Sequence, residues 1–488
     1  MKKASFSFII LAGLLLCFRP GLAAQDLETG YFLGGNPYAF RLNPAFQSER
    51  SIFSLGLGQT GLGTWSNLGF STLLYSDVSD GHVYTFLNDR VNASEFLRKI
   101  KKSNTLDIDA RVNLLTLGFW AGDRFYTLDF NVRSLNSLAV PYDVFSFWKE
   151  GAETRNEYDF SGLGLRSQTF AEAAFGWSKN FDDVFNIGFR LKGLVGGLEM
   201  NALARNMKLS MSDDRWEVRT QSYLYASSPS LTYSLDEDGN PDPATISLNG
   251  NHWGPAGFGG AVDLGASWNV LPYLTLSASV LDLGAVRWNR EIQFVSPESS
   301  YAWAPSESGE SDSEDWSAEF NEALNGLSGV FRFNKDAAVT GAALEMLPFQ
   351  VYLGAEFRMP FYDRLSLGAL YSGRIGSGYG RQTGRISLNW TPLDFLSMST
   401  GTTLNRLGES IGFALNLHPA GINLTVGCDY LPFYCVSMAP LLKDADIPSF
   451  IRQHAILPRD QMKLNVYVGL NLAFGRTCLD YARRYWYK

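Results

Sequence analysis

Hydrophobic and polar residues alternate with a period of two along most of this chain. From Lys463 to Gly475, Leu464, Val466, Val468, Leu470, Leu472 and Phe474 fall on one face, and Asn465, Tyr467, Gly469, Asn471 and Ala473 on the other. Successive strand side chains point to opposite faces, whereas a helix would scatter both sets, so the run reads as a strand with one apolar and one small or polar face. The pattern recurs throughout. Leu106, Ile108, Ala110, Val112 and Leu114 alternate with Asp107, Asp109, Arg111 and Asn113, and Leu128, Phe130 and Val132 with Asp129, Asn131 and Arg133. Ile187, Phe189 and Leu191 alternate with Gly188, Arg190 and Lys192, and Val351, Leu353, Ala355 and Phe357 with Tyr352, Gly354, Glu356 and Arg358. Ile386, Leu388 and Trp390 oppose Arg385, Ser387 and Asn389, while Ile422, Leu424, Val426 and Cys428 oppose Asn423, Thr425, Gly427 and Asp429.

A soluble β-sandwich also alternates, but these runs extend over about 9 to 14 residues, the length of a tilted membrane strand and longer than the usual globular strand. Trp120, Trp177, Trp268, Trp288 and Trp390 sit at strand ends, where interfacial girdles place aromatics. Short connections centred on Pro272, Pro360, Pro392 and Pro419 read as tight turns, because proline donates no hydrogen bond to a ladder. The expectation is an all-β fold: a transmembrane antiparallel β-barrel over residues 51–475, of about 14 strands within a range of about 12 to 16. Long polar loops fall at 235–254 and 296–327, and a tail at 476–488. Helical periodicity predicts short helices at Asn92 to Lys102 and Trp316 to Leu327.

On this pattern one set of charges faces the lumen: Asp107, Asp109, Arg111, Asp129, Arg133, Glu172, Arg190, Lys192, Asp263, Glu356, Arg358, Arg385 and Asp429. Both signs are present, so ion pairs across a narrow, partly filled lumen are expected rather than a pore selective for one charge. Gly193, Gly196 and Gly197 interrupt a strand pattern and mark a bend; it either shapes the wall or opens a lateral exit for an apolar ligand.

The ends of the chain add compartment. Lys2 and Lys3 precede an apolar stretch from Phe6 to Phe18, followed by small residues at Gly21, Ala23 and Ala24. This is the layout of a cleavable secretory signal over residues 1–24. Lys2, Lys3 and Arg19 leave with it, so three fewer positive charges take the net charge from −8 to −11, which argues against nucleic acid as a partner. No later run is long and apolar enough for a helical span. Of the cysteines left after cleavage, Cys428 and Cys435 either close a disulfide in an oxidising compartment or remain thiols. The four histidines, His82, His252, His418 and His454, are scattered, and no metal-ligand spacing, nucleophile motif or cofactor fingerprint occurs. The acidic run with Asp312, Glu314, Asp315 and Glu319 matches no ordered calcium loop and reads as a solvated loop. Enzyme chemistry, cofactors and metals are therefore not expected.

Residues 25–50 precede the first strand and carry Asn36-Pro37 and Asn43-Pro44-Ala45-Phe46. Asn-Pro starts turns, so this is compact irregular chain, tolerated at membrane depth only where protein buries it. It reads as a hatch folded into the barrel mouth. Asn43-Pro44-Ala45 before a first strand resembles the hatch element of FadL-type fatty-acid transporters, and is similar to that of the barrel subunits of the type IX secretion system. Leu42-Asn43-Pro44-Ala45-Phe46, Asn67-Leu68-Gly69-Phe70, Glu95-Phe96-Leu97, Leu163-Gly164-Leu165-Arg166-Ser167-Gln168, Leu191-Lys192-Gly193-Leu194-Val195-Gly196, Met211-Ser212-Asp213-Asp214-Arg215-Trp216, Leu274-Thr275-Leu276-Ser277-Ala278 and Leu281-Asp282-Leu283-Gly284 resemble an uncharacterised family of Bacteroidota outer-membrane barrels. The FadL resemblance implies an outer-membrane channel for a hydrophobic or amphipathic small molecule, its partners being outer-membrane lipid and that ligand. The alternative is a non-transporting barrel subunit with envelope-protein partners.

Overall fold

The computed structural model describes residues 28–475, apart from 57, 77–82, 152–153, 213–214, 236–244, 246, 249–253, 290–291, 296–298, 304–333, 336–341, 377–378, 406–407, 432–434, 438–455 and 459–462. Fourteen antiparallel strands close a barrel. They are β1 (in two pieces, Ser51–Leu55 and Thr60–Ser66), β2 (Ser103–Ala121), β3 (Arg124–Pro141), β4 (Gly164–Phe181) and β5 (Phe185–Ser212). There follow β6 (Gly257–Leu271), β7 (Leu274–Trp288), β8 (Phe349–Arg358), β9 (Leu365–Gly376) and β10 (Tyr379–Leu393). The last four are β11 (Leu396–Asn405), β12 (Gly408–Leu417), β13 (Ile422–Leu431) and β14 (Leu464–Phe474). Each pairs with its neighbour in sequence. β14 closes the ring by pairing with both pieces of β1, Phe53 opposite Leu472 and Leu62 opposite Val466. Closure removes both sheet edges, the condition for a strand structure in lipid.

The expected faces hold over most of the wall. Leu191, Trp268, Leu353, Ile386, Val468 and Leu472 are exposed on the outer surface, while Arg190, Asp263, Tyr352, Arg385, Tyr467 and Asn471 are buried inside. The four proline turns lie at one end of the barrel, with the start of β1 and the end of β14, and the long connections lie at the other. Trp268 and Trp390 face outward near the turn end, with Trp177 packed on Phe189 at a centroid distance of 5.5 Å. Two expected girdle residues do not belong to it. Trp288 is fully buried inside the barrel. Trp120 packs on Phe125 and donates its indole N–H to the Ser48 carbonyl at 3.0 Å, closing the lumen floor.

At the loop end β5 runs on past the wall and pairs with a strand at Arg215–Ser227, itself flanked by Ile292–Val295 and Ser299–Trp303. One expected helix forms at Ala93–Lys99, where the Asn92 side chain accepts from the Glu95 N–H and so satisfies one of the first-turn donors. A second helix, Tyr142–Glu150, was not signalled by the pattern. Phe96 of the first and Phe145 of the second meet in an apolar cluster with Leu68, Phe86 and Val91. The signal segment, the expected helix at Trp316 to Leu327, the acidic run Asp312 to Glu319 and the tail 476–488 lie outside the described residues.

Candidate functional site: the hatch and the lumen

Residues 28–50 fold inside the lumen as a succession of tight turns. The Asn36 side chain ties one: its amide donates to the Gly30 carbonyl at 3.0 Å and its oxygen accepts from the Tyr38 N–H at 3.1 Å. Asn43 ties the next, accepting from the Ala45 N–H at 3.0 Å, the local bond that makes Asn-Pro-Ala a turn. Its amide then reaches the wall, donating to the carbonyls of Ala266 on β6 at 3.2 Å and Ala278 on β7 at 3.3 Å, and to the Tyr31 hydroxyl at 3.2 Å. Pro44 is seated on two glycines that face each other across neighbouring strands, Gly188 of β5 and Gly265 of β6. A Cβ on Gly188 would lie 2.0 Å from the Pro44 carbonyl oxygen, and one on Gly265 would lie 2.1 Å from the Asn43 oxygen. The socket therefore needs glycine on both strands. Ala45 is fully buried, and Phe46 meets Tyr31 edge to face at 5.1 Å.

Two buried charge clusters hold the hatch. In the first, Arg41 pairs with Asp129 at 2.9 Å, and Arg190 joins Asp129 at 2.6 Å to Asp263 at 3.3 Å. Lys192 bridges Asp263 at 2.7 Å and Asp282 at 2.6 Å. Arg133 binds Asp282 through two nitrogens at 2.8 and 2.9 Å, and Glu172 at 2.9 Å. Four cations thus face four carboxylates with side chains at most 5% exposed. The cluster is neutral and heavily hydrogen-bonded, the arrangement in which buried ions offset their desolvation. In the second, Asp429 accepts from the backbone N–H groups of Glu28 and Thr29 at 3.1 and 2.7 Å and from the Asn465 amide at 2.6 Å. Arg381 and Arg385 approach Glu28 at 3.5 and 3.7 Å, Arg385 contacts Thr29, and Arg374 pairs with Asp109.

Of the residues expected to face the lumen, Asp109, Arg111, Asp129, Arg133, Glu172, Arg190, Lys192, Asp263, Arg385 and Asp429 are buried there. Asp107 is half-buried and accepts from Ser137 at 2.6 Å. Glu356 is half-buried with Ser366 at 2.6 Å, and Arg358 is exposed where β8 ends at the turn rim. Cys428 is a free thiol that donates to the Tyr430 carbonyl at 3.1 Å, and the Cys435 side chain lies outside the described residues. Gly197 is the extra residue of a bulge, since Thr169 opposes Leu198 and Phe170 opposes Gly196. β5 stays paired there with β4, and with β6 through Gly257 and Gly196, so these glycines bend the wall without parting it. Gly196 instead receives the Trp288 ring, 2.3 Å from where a Cβ would stand.

Sequence pattern missed Glu28, Arg41, Arg374, Arg381 and Asp282. Asp282 is the most telling, with a backbone φ of 61° at a bulge where Val262 opposes Leu283 and Leu264 opposes Val280. Its place between Leu281 and Leu283, polar where the alternation slips phase, was the available signal. The best-formed cavities of the described residues measure about 0 Å³ beside Phe40 and Arg190 and about 20 Å³ beside Glu49, Arg50 and His418, the latter enough for one water.

Among solved structures, the toluene transporter TbuX of Ralstonia pickettii is 9% identical over 93% of this chain and 99% of that one, with a TM-score of 0.43. A FadL homologue of Pseudomonas aeruginosa is 11% identical over 93% and 99%, at 0.39. The toluene transporter TodX of Pseudomonas putida is 9% identical over 93% and 95%, at 0.36. No protein with a curated description matches the sequence. A family model does match, over residues 44–429 and hence from the proline of the hatch turn to the aspartate that clasps the hatch N-terminal turn. The chain belongs to that family, a family of unknown function designated DUF5723.

Proposed function

We propose that the protein is a gated channel of the outer membrane, exported by its signal segment and shut in this conformation by its own hatch. The observation that carries the reading is the manner in which the hatch is held. It fills the lumen of a closed barrel, yet it is fastened by side-chain hydrogen bonds, ion pairs and a glycine socket that the rest of the wall does not need for its strand pairing. A segment fastened in this way can leave while the ring of strands remains. The cargo is a hydrophobic or amphipathic small molecule. An apolar surface for its body is the loop-end cluster of Leu135, Phe170, Leu194, Val286, Trp288 and Leu347.

The test is conductance of the full chain in planar bilayers, compared with an Arg41→Ala/Asn43→Ala double variant. The parent should be silent and the variant should open. A variant whose hatch is shown by hydrogen exchange to be free, but which passes no potassium chloride, overturns the reading. The packed lumen favours a second reading, a non-transporting subunit of an envelope machine. Under it the same variant stays silent, and the parent co-purifies with other envelope proteins.

A further inference from the structure

Asp109 of β2 forms an ion pair with Arg374 of β9. Round the ring of strands, β2 and β9 are equally far apart by either route, so the pair crosses the lumen from one wall to the opposite wall. A round barrel of fourteen strands, spaced about 4.8 Å and tilted about 40°, is about 28 Å across. An extended arginine, a hydrogen bond and an aspartate together span about 14 Å. The barrel is therefore drawn in at β2 and β9, and the pair divides the lumen into two sides.

The two sides are filled differently. On the β3 to β8 side the wall's own side chains reach across. Arg133 of β3 binds Asp282 of β7, Arg190 of β5 binds Asp129 of β3, and Lys192 of β5 binds Asp282. Gln350 of β8 extends the net, donating to Asp282 at 3.4 Å, and the loop-end apolar cluster lies above it on the same strands. On the β10 to β14 side the described wall bonds run mostly between neighbouring strands, as from Ser399 to Asn389 at 2.6 Å and from Thr425 to Asn416 at 3.0 Å. There the hatch occupies the space. Thr29 contacts both Arg385 and Asp429, Leu33 packs on Ala414 and Tyr467, and the Gly34 and Gly35 carbonyls accept from Asn416 and Asn423 at 3.2 Å each.

We infer that Asp109 and Arg374 set the bore of the channel, and that the cargo passes on the β10 to β14 side alone. The inference rests on the channel reading above. Departure of the hatch empties that side. On the other side it takes away Arg41 but leaves the pairs that join wall to wall, with Asp129 still held by Arg190. Breaking such a buried pair strands a charge, so these crossings persist. A molecule received at the loop-end apolar cluster must therefore go round the Asp109–Arg374 bar, which selects slender molecules over bulky ones.

The experiment uses planar bilayers and the full chain with the Arg41→Ala/Asn43→Ala changes, with Cys428, Cys435 and Cys478 replaced by serine and folding checked by heat-modifiable gel mobility. A single cysteine is then placed on either side of the bar. Ser399→Cys puts it on β11, and Ala174→Cys puts it on β4, between Asp129 and Lys192 in the strand register. Sulfonatoethyl methanethiosulfonate, a water-borne thiol reagent, is added to both compartments. It should cut the potassium chloride current of the Ser399→Cys chain by about half or more and leave that of the Ala174→Cys chain unchanged. Adding Asp109→Asn with Arg374→Gln removes both charges together. That pair should raise the conductance roughly twofold and admit larger polyethylene glycols. Block of the Ala174→Cys chain, or none of the Ser399→Cys chain, overturns the inference while sparing the channel. So does an Asp109→Asn/Arg374→Gln pair with unchanged conductance. Absence of all conductance in the hatch-released chain overturns both. If the hatch double variant does not fold, Gly265→Val, which fills the hatch socket, replaces it; if the neutralised pair does not fold, the two cysteines decide.

Discussion

Replacing Arg41 by alanine separates a latch on the hatch from a strut of the barrel. Its guanidinium, 2% exposed, donates to the Gln59 carbonyl at 3.2 Å, Thr116 Oγ1 at 3.0 Å and Asp129 Oδ1 at 2.9 Å. It also lies 4.9 Å from the centroid of the Tyr38 ring. Removing one partner of a buried ion pair costs about 3–5 kcal/mol, chiefly because the other charge is stranded. Asp129 is not stranded here: Arg190 at 2.6 Å and Thr116 at 2.7 Å remain. The loss is therefore about 3 kcal/mol, the lower end of that range. It falls on the hatch-in state, since no strand pairing passes through Arg41. At about 1.4 kcal/mol per decade, the hatch-out population rises roughly a hundredfold. Hydrogen exchange followed by mass spectrometry in detergent micelles reads this directly. Peptides from residues 28–50 should exchange roughly a hundredfold faster while β2 to β4 keep their protection. Arg41→Met combined with Asp129→Asn leaves Arg190 facing Asp263 alone and should recover part of the lost protection, because both charges leave together. Unchanged exchange in the hatch would refute the latch. An equal loss across the barrel would show that Arg41 supports the wall.

Gly188→Ala should loosen the hatch by about 1–3 kcal/mol, as overpacking does, because its Cβ would meet the Pro44 carbonyl at 2.0 Å; Gly193→Ala, with nothing nearer than 4.0 Å, should be silent in the same exchange assay. Asp282→Gly tolerates the φ of 61° but removes the acceptor shared by Arg133 and Lys192, so the thermal unfolding midpoint, read by gel mobility, should fall by the equivalent of about 3–5 kcal/mol. A rise in that midpoint would show backbone strain at Asp282 to outweigh its ion pairs. His418, at the turn end, is pushed below its ordinary value of 6.5 by burial first and Arg50 second, with Asp394 opposing. Glu49, lining the same small cavity, is pushed up by burial against the pull of Arg50. A base with a depressed folded value contributes its stability in full above 6.5 and loses it as the pH falls toward the folded value. The hatch at Gly35, beside His418, should therefore have lower protection factors, that is, exchange relative to the intrinsic rate at the same pH, at pH 5.5 than at pH 7.5, and His418→Gln should flatten that dependence.

Alternation made the barrel legible because a membrane wall imposes it: every second residue meets lipid, and the rest meet the lumen. It carried the strand number, the turn end and ten of the lumen charges. It failed wherever a bulge shifts the phase. Leu114 is the extra residue between Asn113 and Leu115 on β2, so that Asn113 and Thr116, three apart, both lie buried inside. On β7 Leu281 and Asp282 are adjacent and both buried, after which the inward set resumes at Val286 and Trp288. By simple alternation Trp288 therefore reads as a girdle residue, although it lies inside. A bulge needs no particular residue when an aspartate can adopt the left-handed backbone, so the sequence carries only the faint sign of a polar residue out of phase. The hatch was visible as irregular chain, but its grip was not, because Arg41 finds Asp129 and Thr29 finds Asp429 across 88 and 400 positions. Such contacts belong to the closed ring rather than to any local run. The glycines show the same division. Gly188 and Gly265 read singly as ordinary strand glycines, and only the register that sets them face to face turns them into a seat for Pro44. What sequence pattern supplies is the wall; what closes the wall's interior depends on register and phase, and a single added residue resets both.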